Sequence, residues 1–196
     1  WVLESSFQRV KDWNERYSSN MKLAVNLSGM QLKRSNIVEV VAEKLVKSGL
    51  KPGLLELEIT ESMLMRDVTG SIDRLNRLKS MGVSLAIDDF GTGYSSLSCL
   101  NAFPLNTVKI DRSFVMDIPA DADDVAITRA IVNLARNLNL KVIAEGVETV
   151  AQWDFLHQLQ CDEVQGYLVS PAVSANDFAR FMEIGIWQTP ATLVQT

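Results

Sequence analysis

Short apolar runs alternate with longer amphipathic segments along almost the whole chain of 196 residues. The runs have strand length, and the longer segments repeat apolar residues every three or four positions, as helices do. The predicted strands cover residues 22–28, 54–59, 83–87, 107–110, 141–144 and 163–165. Strands that alternate with helices predict a parallel sheet. Because no glycine-rich dinucleotide fingerprint follows any strand, a closed barrel is favoured over an open doubly wound sheet.

The helical segments show no linker between them that would separate two domains. Helices are predicted at 3–17, from 37 to a stop at Gly49, at 72–78, 96–101, 124–137 and 150–160, and from a capping box at Ser174 and Asp177 onward. We therefore predict one α/β domain over residues 1–186 and an irregular C-terminal tail over 187–196.

The composition excludes some classes of protein. The net charge of −5 gives no basic footprint for a DNA or RNA polymer. Two cysteines, Cys99 and Cys161, make no disulfide framework, which favours a reducing compartment. No apolar run approaches the roughly 20 residues of a membrane span. The predicted location is the cytoplasm, which includes the cytoplasmic part of a membrane-bound sensor.

Polar side chains stand at or near the C-terminal ends of the predicted strands. They are Asn26, Glu58, Asp88, Asp89, Lys109, Glu145 and Gln165. Each one alone is typical of a turn or a helix cap, and Lys109 has the alternatives of a solvated side chain or a partner of Asp111. In a barrel, however, these strand ends meet on one face, where active sites are built. The joint pattern therefore predicts a functional site.

Four of these side chains are carboxylates, which repel one another unless positive charge lies among them. Carboxylate and amide oxygens suit Mg²⁺ or Mn²⁺, and also Ca²⁺. The adjacent Asp88 and Asp89 suit two metals about 4 Å apart. Lys109 would orient water or a phosphate oxygen, and Glu145 would bind the second metal, act as general base, or do both. The only histidine, His157, lies on a predicted helix, which argues against zinc.

The segment Asp88 to Ser96 is predicted to be a loop, because it contains Gly91, Gly93 and small hydroxyl residues. Such a segment is either an ordinary flexible connection or a lid with metal ligands at its base. Its position directly after a strand favours the lid.

Six ordered motifs resemble the EAL-domain family, the bacterial cyclic di-GMP phosphodiesterases. They are Val25-Asn26-Leu27-Ser28, Glu58-Ile59-Thr60-Glu61-Ser62, the Asp88–Ser96 loop, Val108-Lys109-Ile110-Asp111, Glu145-Gly146-Val147-Glu148 and Gln165-Gly166-Tyr167-Leu168. The resemblance implies a (β/α)8 TIM-type barrel whose first strand is antiparallel to the others. It also implies hydrolysis of cyclic di-GMP to the linear dinucleotide with two Mg²⁺ or Mn²⁺ ions.

The resemblance assigns a role to each matching position. Asn26, Glu58, Asp88 and Asp89 would be metal ligands, Glu145 a ligand or base, Lys109 the water- and phosphate-orienting lysine, and Gln165 a site-lining amide. Glu61 would anchor the lid loop, and Asp111 would be a substrate-side or supporting carboxylate. As departures, Pro171-Ala172 replaces a basic residue followed by proline, and Glu163 stands where an apolar residue is common.

The Glu-Ala-Leu motif that names the family is not in the sequence, and the chain opens on Trp1 rather than methionine. We therefore expect an incomplete barrel that lacks its first two strands, with additional domains upstream in the parent protein. We expect this chain alone to be inactive, because one metal-binding glutamate would be missing. The alternatives to an enzyme are a catalytically inactive cyclic di-GMP receptor and an interaction scaffold. Besides cyclic di-GMP, a second copy of the chain in a homodimer is a candidate partner.

Overall fold

The computed structural model describes residues 2–34, 36–93 and 97–184, without the side chains of Val2, Leu97, Ser98, Cys99 and Ile184. The chain divides into two units, Trp1–Thr107 and Val108–Thr196. Helices and strands alternate in each unit, as the apolar periodicity predicts.

The first unit contains three strands and six helices among its described residues. In chain order they are α1 (Val2–Tyr17), β1 (Leu23–Asn26), α2 (Gly29–Lys33), α3 (Ile37–Ser48), β2 (Leu55–Thr60), α4 (Glu61–Arg66), α5 (Val68–Ser80), β3 (Ser84–Phe90) and α6 (Leu97–Ala102). β2 pairs in parallel with β1 on one side and with β3 on the other. The predicted parallel arrangement is therefore confirmed in this unit.

The core of the first unit forms around β2. Its apolar residues Leu55, Leu57 and Ile59 are fully buried, and burying one such side chain stabilises a fold by about 1.5–3 kcal/mol. Helix α1 packs on α3, and α3 packs on α5. Helix α3 ends where the sequence predicts, because Gly49 takes the left-handed conformation and its N–H donates to the Leu45 carbonyl.

Two short helices and the end of β3 differ from the sequence prediction. Helices α2 and α4 begin directly after strands and were not predicted. β3 continues through Asp88 and Asp89 to Phe90, so the following loop begins at Gly91 rather than at Asp88. The Asp-Asp pair therefore belongs to the C-terminal end of a strand and not to a flexible loop.

The second unit contains three strands and three helices among its described residues. They are β4 (Thr107–Ile110, which starts at the last residue of the first unit), α7 (Ala122–Asn137), β5 (Lys141–Glu145), α8 (Val150–Gln158), β6 (Glu163–Gln165) and α9 (Ala175–Ile184). Their order within the sheet is β4–β5–β6, β5 and β6 are parallel, and α7 packs on β5.

Side-chain caps set the starts of these helices. Asp121 accepts hydrogen bonds from the backbone N–H groups of Asp123 and Asp124, so α7 begins two residues earlier than predicted. One half of the predicted capping box of α9 is present, because the Asp177 N–H donates to the Ser174 hydroxyl at 3.2 Å, and the Asp177 carboxylate accepts a hydrogen bond from that hydroxyl. The predicted tail at 187–196 lies outside the described residues. Within residues 2–34, 36–93 and 97–184, none of the helices has the length and apolar character needed to cross a membrane.

Candidate functional site

The strand ends of the first unit bring together four of the predicted site residues. Asn26 at the end of β1 is the register partner of Glu58 in β2, and Thr60 of β2 is the partner of Asp88 in β3. Glu58 is 6% exposed and Asp88 is 8% exposed, whereas Asn26 is exposed. Burying two carboxylates on neighbouring strands requires compensation by hydrogen-bond donors or positive charge.

The backbone at Asp89 accounts for the arrangement of the Asp-Asp pair. Successive side chains of a regular strand point to opposite faces. Asp89 instead has a φ of 53°, in the left-handed region that aspartate tolerates better than most residues. A carboxylate oxygen of Asp88 and one of Asp89 lie within 4.8 Å of each other. Uncommon backbone conformations of this kind are found at functional sites.

The donor set of the first unit fits a hard divalent cation. Glu58, Asp88 and Asp89 offer carboxylate oxygens, and Asn26 offers an amide oxygen, all at the C-terminal ends of neighbouring strands. Mg²⁺ and Mn²⁺ prefer such ligands, and a cation would also compensate the buried acidic charge. The residues present therefore suit the metals that the sequence predicts.

Glu61 contacts the loop that follows the Asp-Asp pair. This side chain lies at the start of α4 and is buried. Its Oε2 atom accepts a hydrogen bond of 3.0 Å from the Gly91 N–H. A Cβ atom built on Gly93 would lie 2.6 Å from Glu61 Oε1, so only glycine fits there without movement. Residues Tyr94 to Ser96 of the predicted lid lie outside the described residues.

The strand ends of the second unit contain an ion pair. Lys109 Nζ lies 2.6 Å from Glu145 Oε1. Lys109 is only 3% exposed, so the alternative of a solvated lysine is wrong. A buried lysine paired this closely with a carboxylate is held in one position by the contact.

The second unit contains two other predicted site residues, one at the end of a strand and one directly after a strand. Gln165, which is exposed at the end of β6, is the register partner of Glu145. Asp111 follows β4, and its carboxylate accepts hydrogen bonds from the N–H and the hydroxyl of Ser113. It therefore caps the 3₁₀ turn Arg112–Phe114, which is the ordinary structural role that the sequence allows for a strand-end aspartate.

Among the described residues, His157 and Cys161 do not belong to the group of side chains that could hold a metal ion. His157 is exposed on α8 and stacks on Trp153 with ring centroids 5.9 Å apart. The Cys161 thiol donates to the backbone carbonyls of Val142 and Glu163, and its burial raises the pKa of the thiol to about 11. Such a thiol stays protonated at neutral pH when no metal is bound.

Glu56 and Gln152 are two of the buried polar residues that were not predicted from the sequence. Glu56 precedes Glu58 by two positions in β2 and accepts a hydrogen bond of 2.9 Å from the Thr107 hydroxyl. Gln152 in α8 is buried and bonds the loop that follows Glu145. A signal for Gln152 exists in the sequence, because Thr149 and Gln152 have the spacing of a capping box. Nothing local distinguishes Glu56 from a solvent-facing strand residue.

The comparisons with known proteins identify the family to which this chain belongs. The EAL domain family model matches residues 1–172. The bifunctional diguanylate cyclase/cyclic di-GMP phosphodiesterase MucR of Pseudomonas aeruginosa is 45% identical over 175 residues, which are 89% of this chain and 26% of MucR. The chain spans about a quarter of the length of the curated relatives it matches.

Solved structures of this family share the fold. The PaMucR phosphodiesterase in complex with c-di-GMP matches with a TM-score of 0.88 and 44% identity, over 91% of this chain and 72% of that chain. The Klebsiella pneumoniae BlrP1 manganese/cyclic-diGMP complex at pH 9.0 matches with a TM-score of 0.77 and 32% identity, over 86% of this chain and 43% of that chain. The predicted TIM-type barrel, incomplete here, is therefore confirmed as the fold class. The chain belongs to the EAL domain family.

Proposed function

We propose that the protein hydrolyses cyclic di-GMP to the linear dinucleotide in bacterial second-messenger signalling, with two Mg²⁺ or Mn²⁺ ions. The observation that carries the proposal is the convergence of Asp88 and Asp89, whose carboxylate oxygens lie within 4.8 Å of each other at the end of β3, the strand that pairs with the strand of the buried Glu58. Uncommon backbone conformations such as that of Asp89 cluster at active sites and ligand-binding sites, which supports the proposal. Membership of the EAL family names the substrate class.

In this proposal, the metals are held by Asn26, Glu58, Asp88 and Asp89, with Glu145 as a further ligand. Bound divalent cations would supply Lewis-acid stabilisation of the phosphate oxygens and neutralise the acidic set. Of the relatives described above, BlrP1 has been solved with manganese and cyclic di-GMP.

The second unit supplies the charged groups that act on the phosphate ester. Lys109 is fixed by its 2.6 Å contact with Glu145, so it can orient the attacking water or a phosphate oxygen without reorganising. Glu145 either binds metal, accepts the proton of the water, or does both. Gln165 and Asp111 would line the substrate side, and Glu61 would hold the loop that begins at Gly91.

The proposal for the whole protein includes its partners and location. Cyclic di-GMP is the expected ligand, and the greater length of the relatives supports further domains in the whole protein. A homodimer remains an alternative for self-association. We place the protein in the cytoplasm, or on the cytoplasmic side of a membrane as part of a sensor.

The test is cyclic di-GMP hydrolysis by the full-length protein with Mg²⁺, Mn²⁺, Ca²⁺ or excess chelator. We expect turnover with Mg²⁺ or Mn²⁺, inhibition by Ca²⁺ because it prefers longer and looser coordination, and no turnover with chelator. Full activity in excess chelator would contradict the two-metal proposal. Binding of cyclic di-GMP without hydrolysis would instead identify a receptor, and the absence of both would favour a scaffold.

A further inference from the structure

The loop that follows β5 fixes where Glu145 stands. This loop, Gly146–Thr149, connects the end of β5 to α8. It lies against the end of β6, where the Val147 N–H donates to the Gln165 carbonyl at 3.1 Å. A Cβ atom built on Gly166 would lie 2.1 Å from the Val147 carbonyl oxygen, so the two backbones are in direct contact. The position of Glu145 is therefore set by the packing of its loop.

A second set of contacts ties the same loop to the segment that follows Lys109. This segment, Arg112–Met116, contains the 3₁₀ turn after β4. The Arg112 side chain covers Gly146 so closely that a Cβ on this glycine would lie 2.3 Å from Arg112 Cγ. The Arg112 guanidinium then donates to Glu148 Oε1 at 2.8 Å. Both side chains of this ion pair are more than a third exposed, so it contributes little to stability by itself.

Gln152 makes the buried connection between these two segments. It is only 4% exposed. Its side-chain oxygen accepts hydrogen bonds from the Glu148 N–H at 2.7 Å and the Thr149 N–H at 2.9 Å. Its side-chain nitrogen donates to the Met116 carbonyl at 2.9 Å. One amide group thus links the loop that carries Glu145 to the segment that follows Lys109.

Helix capping explains only part of this arrangement. A capping box at α8 needs two hydrogen bonds, and both are present: the Thr149 N–H donates to the Gln152 side-chain oxygen, and the Gln152 N–H donates to the Thr149 hydroxyl. The bonds to the Glu148 N–H and to the Met116 carbonyl are additional. The bond to the Met116 carbonyl connects the start of α8 to the other segment, and helix capping does not require such a bond.

We propose that Gln152 is a positioning residue for the reaction, which holds Glu145 at the correct distance from Lys109 by fixing their two following segments to each other. This inference rests on the proposed function. Lys109 and Glu145 lie 2.6 Å apart, and a displacement of about 1 Å at reacting groups lowers rates by about 100-fold. Residues that orient active groups through hydrogen bonds typically change activity by about 10- to 100-fold when they are replaced.

Two substitutions separate the contacts of Gln152. Gln152→Met keeps the volume and removes all three side-chain hydrogen bonds, whereas Gln152→Glu keeps the two accepted bonds and removes the donor to Met116. We expect the kcat of the full-length protein with Mn²⁺ and cyclic di-GMP to fall about 10- to 100-fold for Gln152→Met and by an intermediate factor for Gln152→Glu. KM should change less than about threefold in both, because substrate binding is not altered.

Thr128→Val is the matched control. Thr128 is fully buried in α7, and its hydroxyl donates to the Phe114 carbonyl at 2.9 Å. It therefore contacts the same segment after β4 but makes no hydrogen bond to the loop Gly146–Thr149. We expect this variant to lose stability but to keep kcat within about twofold of the wild type. An equal loss of kcat in Thr128→Val and Gln152→Met would reduce Gln152 to a stability role and overturn the proposal.

A measurement without metal or substrate separates this inference from the proposed function. Amide hydrogen exchange in the metal-free protein should be at least about tenfold faster at Glu148 and Thr149 in Gln152→Met than in the wild type, and unchanged there in Thr128→Val. Unchanged exchange in Gln152→Met, or unchanged kcat in the folded variant, would overturn the proposal. If the wild type does not hydrolyse cyclic di-GMP, the proposed function fails, whereas the exchange rates still decide whether Gln152 fixes the loop.

Discussion

The charged side chains at the strand ends differ between the two units. In the first unit, the ionisable side chains at these ends are all acidic, and Glu58 and Asp88 are buried. In the second unit, the acidic Glu145 has its own cation, the buried Lys109 at 2.6 Å. The first set is suited to attract metal ions, and the second is suited to present a fixed ammonium group. One sequence pattern, a charged residue at a strand end, therefore produces two different electrostatic environments.

The largest expected effect comes from reducing the acidic charge of the first unit. Asp88→Asn removes a charge that both metals would share, and we expect it to lower the turnover of the full-length protein by more than about 100-fold. The metal-free fold should survive, because the substitution relieves repulsion among carboxylates. Turnover is measured with cyclic di-GMP and Mn²⁺, and unfolding by circular dichroism.

Asp73→Asn is the control for this substitution. Asp73 is an exposed residue of α5 in the same unit. Its replacement removes one negative charge from a helix and not from a strand end. We expect its turnover to match the wild type. Near-normal turnover of Asp88→Asn would contradict the metal site and favour the scaffold alternative.

The next effect tests the ion pair of the second unit. Lys109→Met should lower turnover by about 100-fold, because the fixed ammonium group is lost. It should also lower the free energy of unfolding by on the order of 3 kcal/mol, because Glu145 loses its buried partner. Turnover and chemical denaturation of the same preparation measure both quantities.

Lys141→Met offers a matched comparison in the same unit. Lys141 lies on β5 and pairs with Glu163 at 3.4 Å, with both side chains about half exposed. An exposed pair contributes at most about 1 kcal/mol, so this variant should be nearly as stable and as active as the wild type. If the two lysine substitutions lowered the free energy of unfolding equally, the contribution of these ion pairs to stability would not depend on their burial.

The smallest expected effect concerns the loop beside the acidic set. Glu61→Ala removes the acceptor of the Gly91 N–H, and we expect turnover to fall by about tenfold and Mn²⁺ affinity to decrease, because Asp88 and Asp89 precede this loop. Glu61→Gln keeps an acceptor oxygen and should retain more activity than Glu61→Ala. Calorimetry of Mn²⁺ binding and amide exchange at Gly91 test the prediction. Loss of metal binding with unchanged exchange at Gly91 would make Glu61 a direct ligand.

The sequence alone predicted most of the elements, because their signals are local. Helix α3 and its end at Gly49 follow from the apolar period and from the left-handed conformation that glycine adopts easily. The strands around Asn26, Glu58 and Lys109 follow from short apolar runs bounded by polar residues. The short α2 and α4 were missed because one or two turns of helix give too few repeats for periodicity to register.

Only the tertiary structure decided how the polar strand residues are used. The alternation of leucine and glutamate in β2 is typical of a strand with one solvent face, yet Glu56 and Glu58 are both buried because neighbouring elements cover that face as well. The sequence predicted Lys109 among the polar strand ends and left solvent and Asp111 as alternatives, whereas the structure pairs it with Glu145, 36 positions further along the chain. Periodicity reports the conformation of a segment, but burial and ion pairs depend on which distant segments pack together.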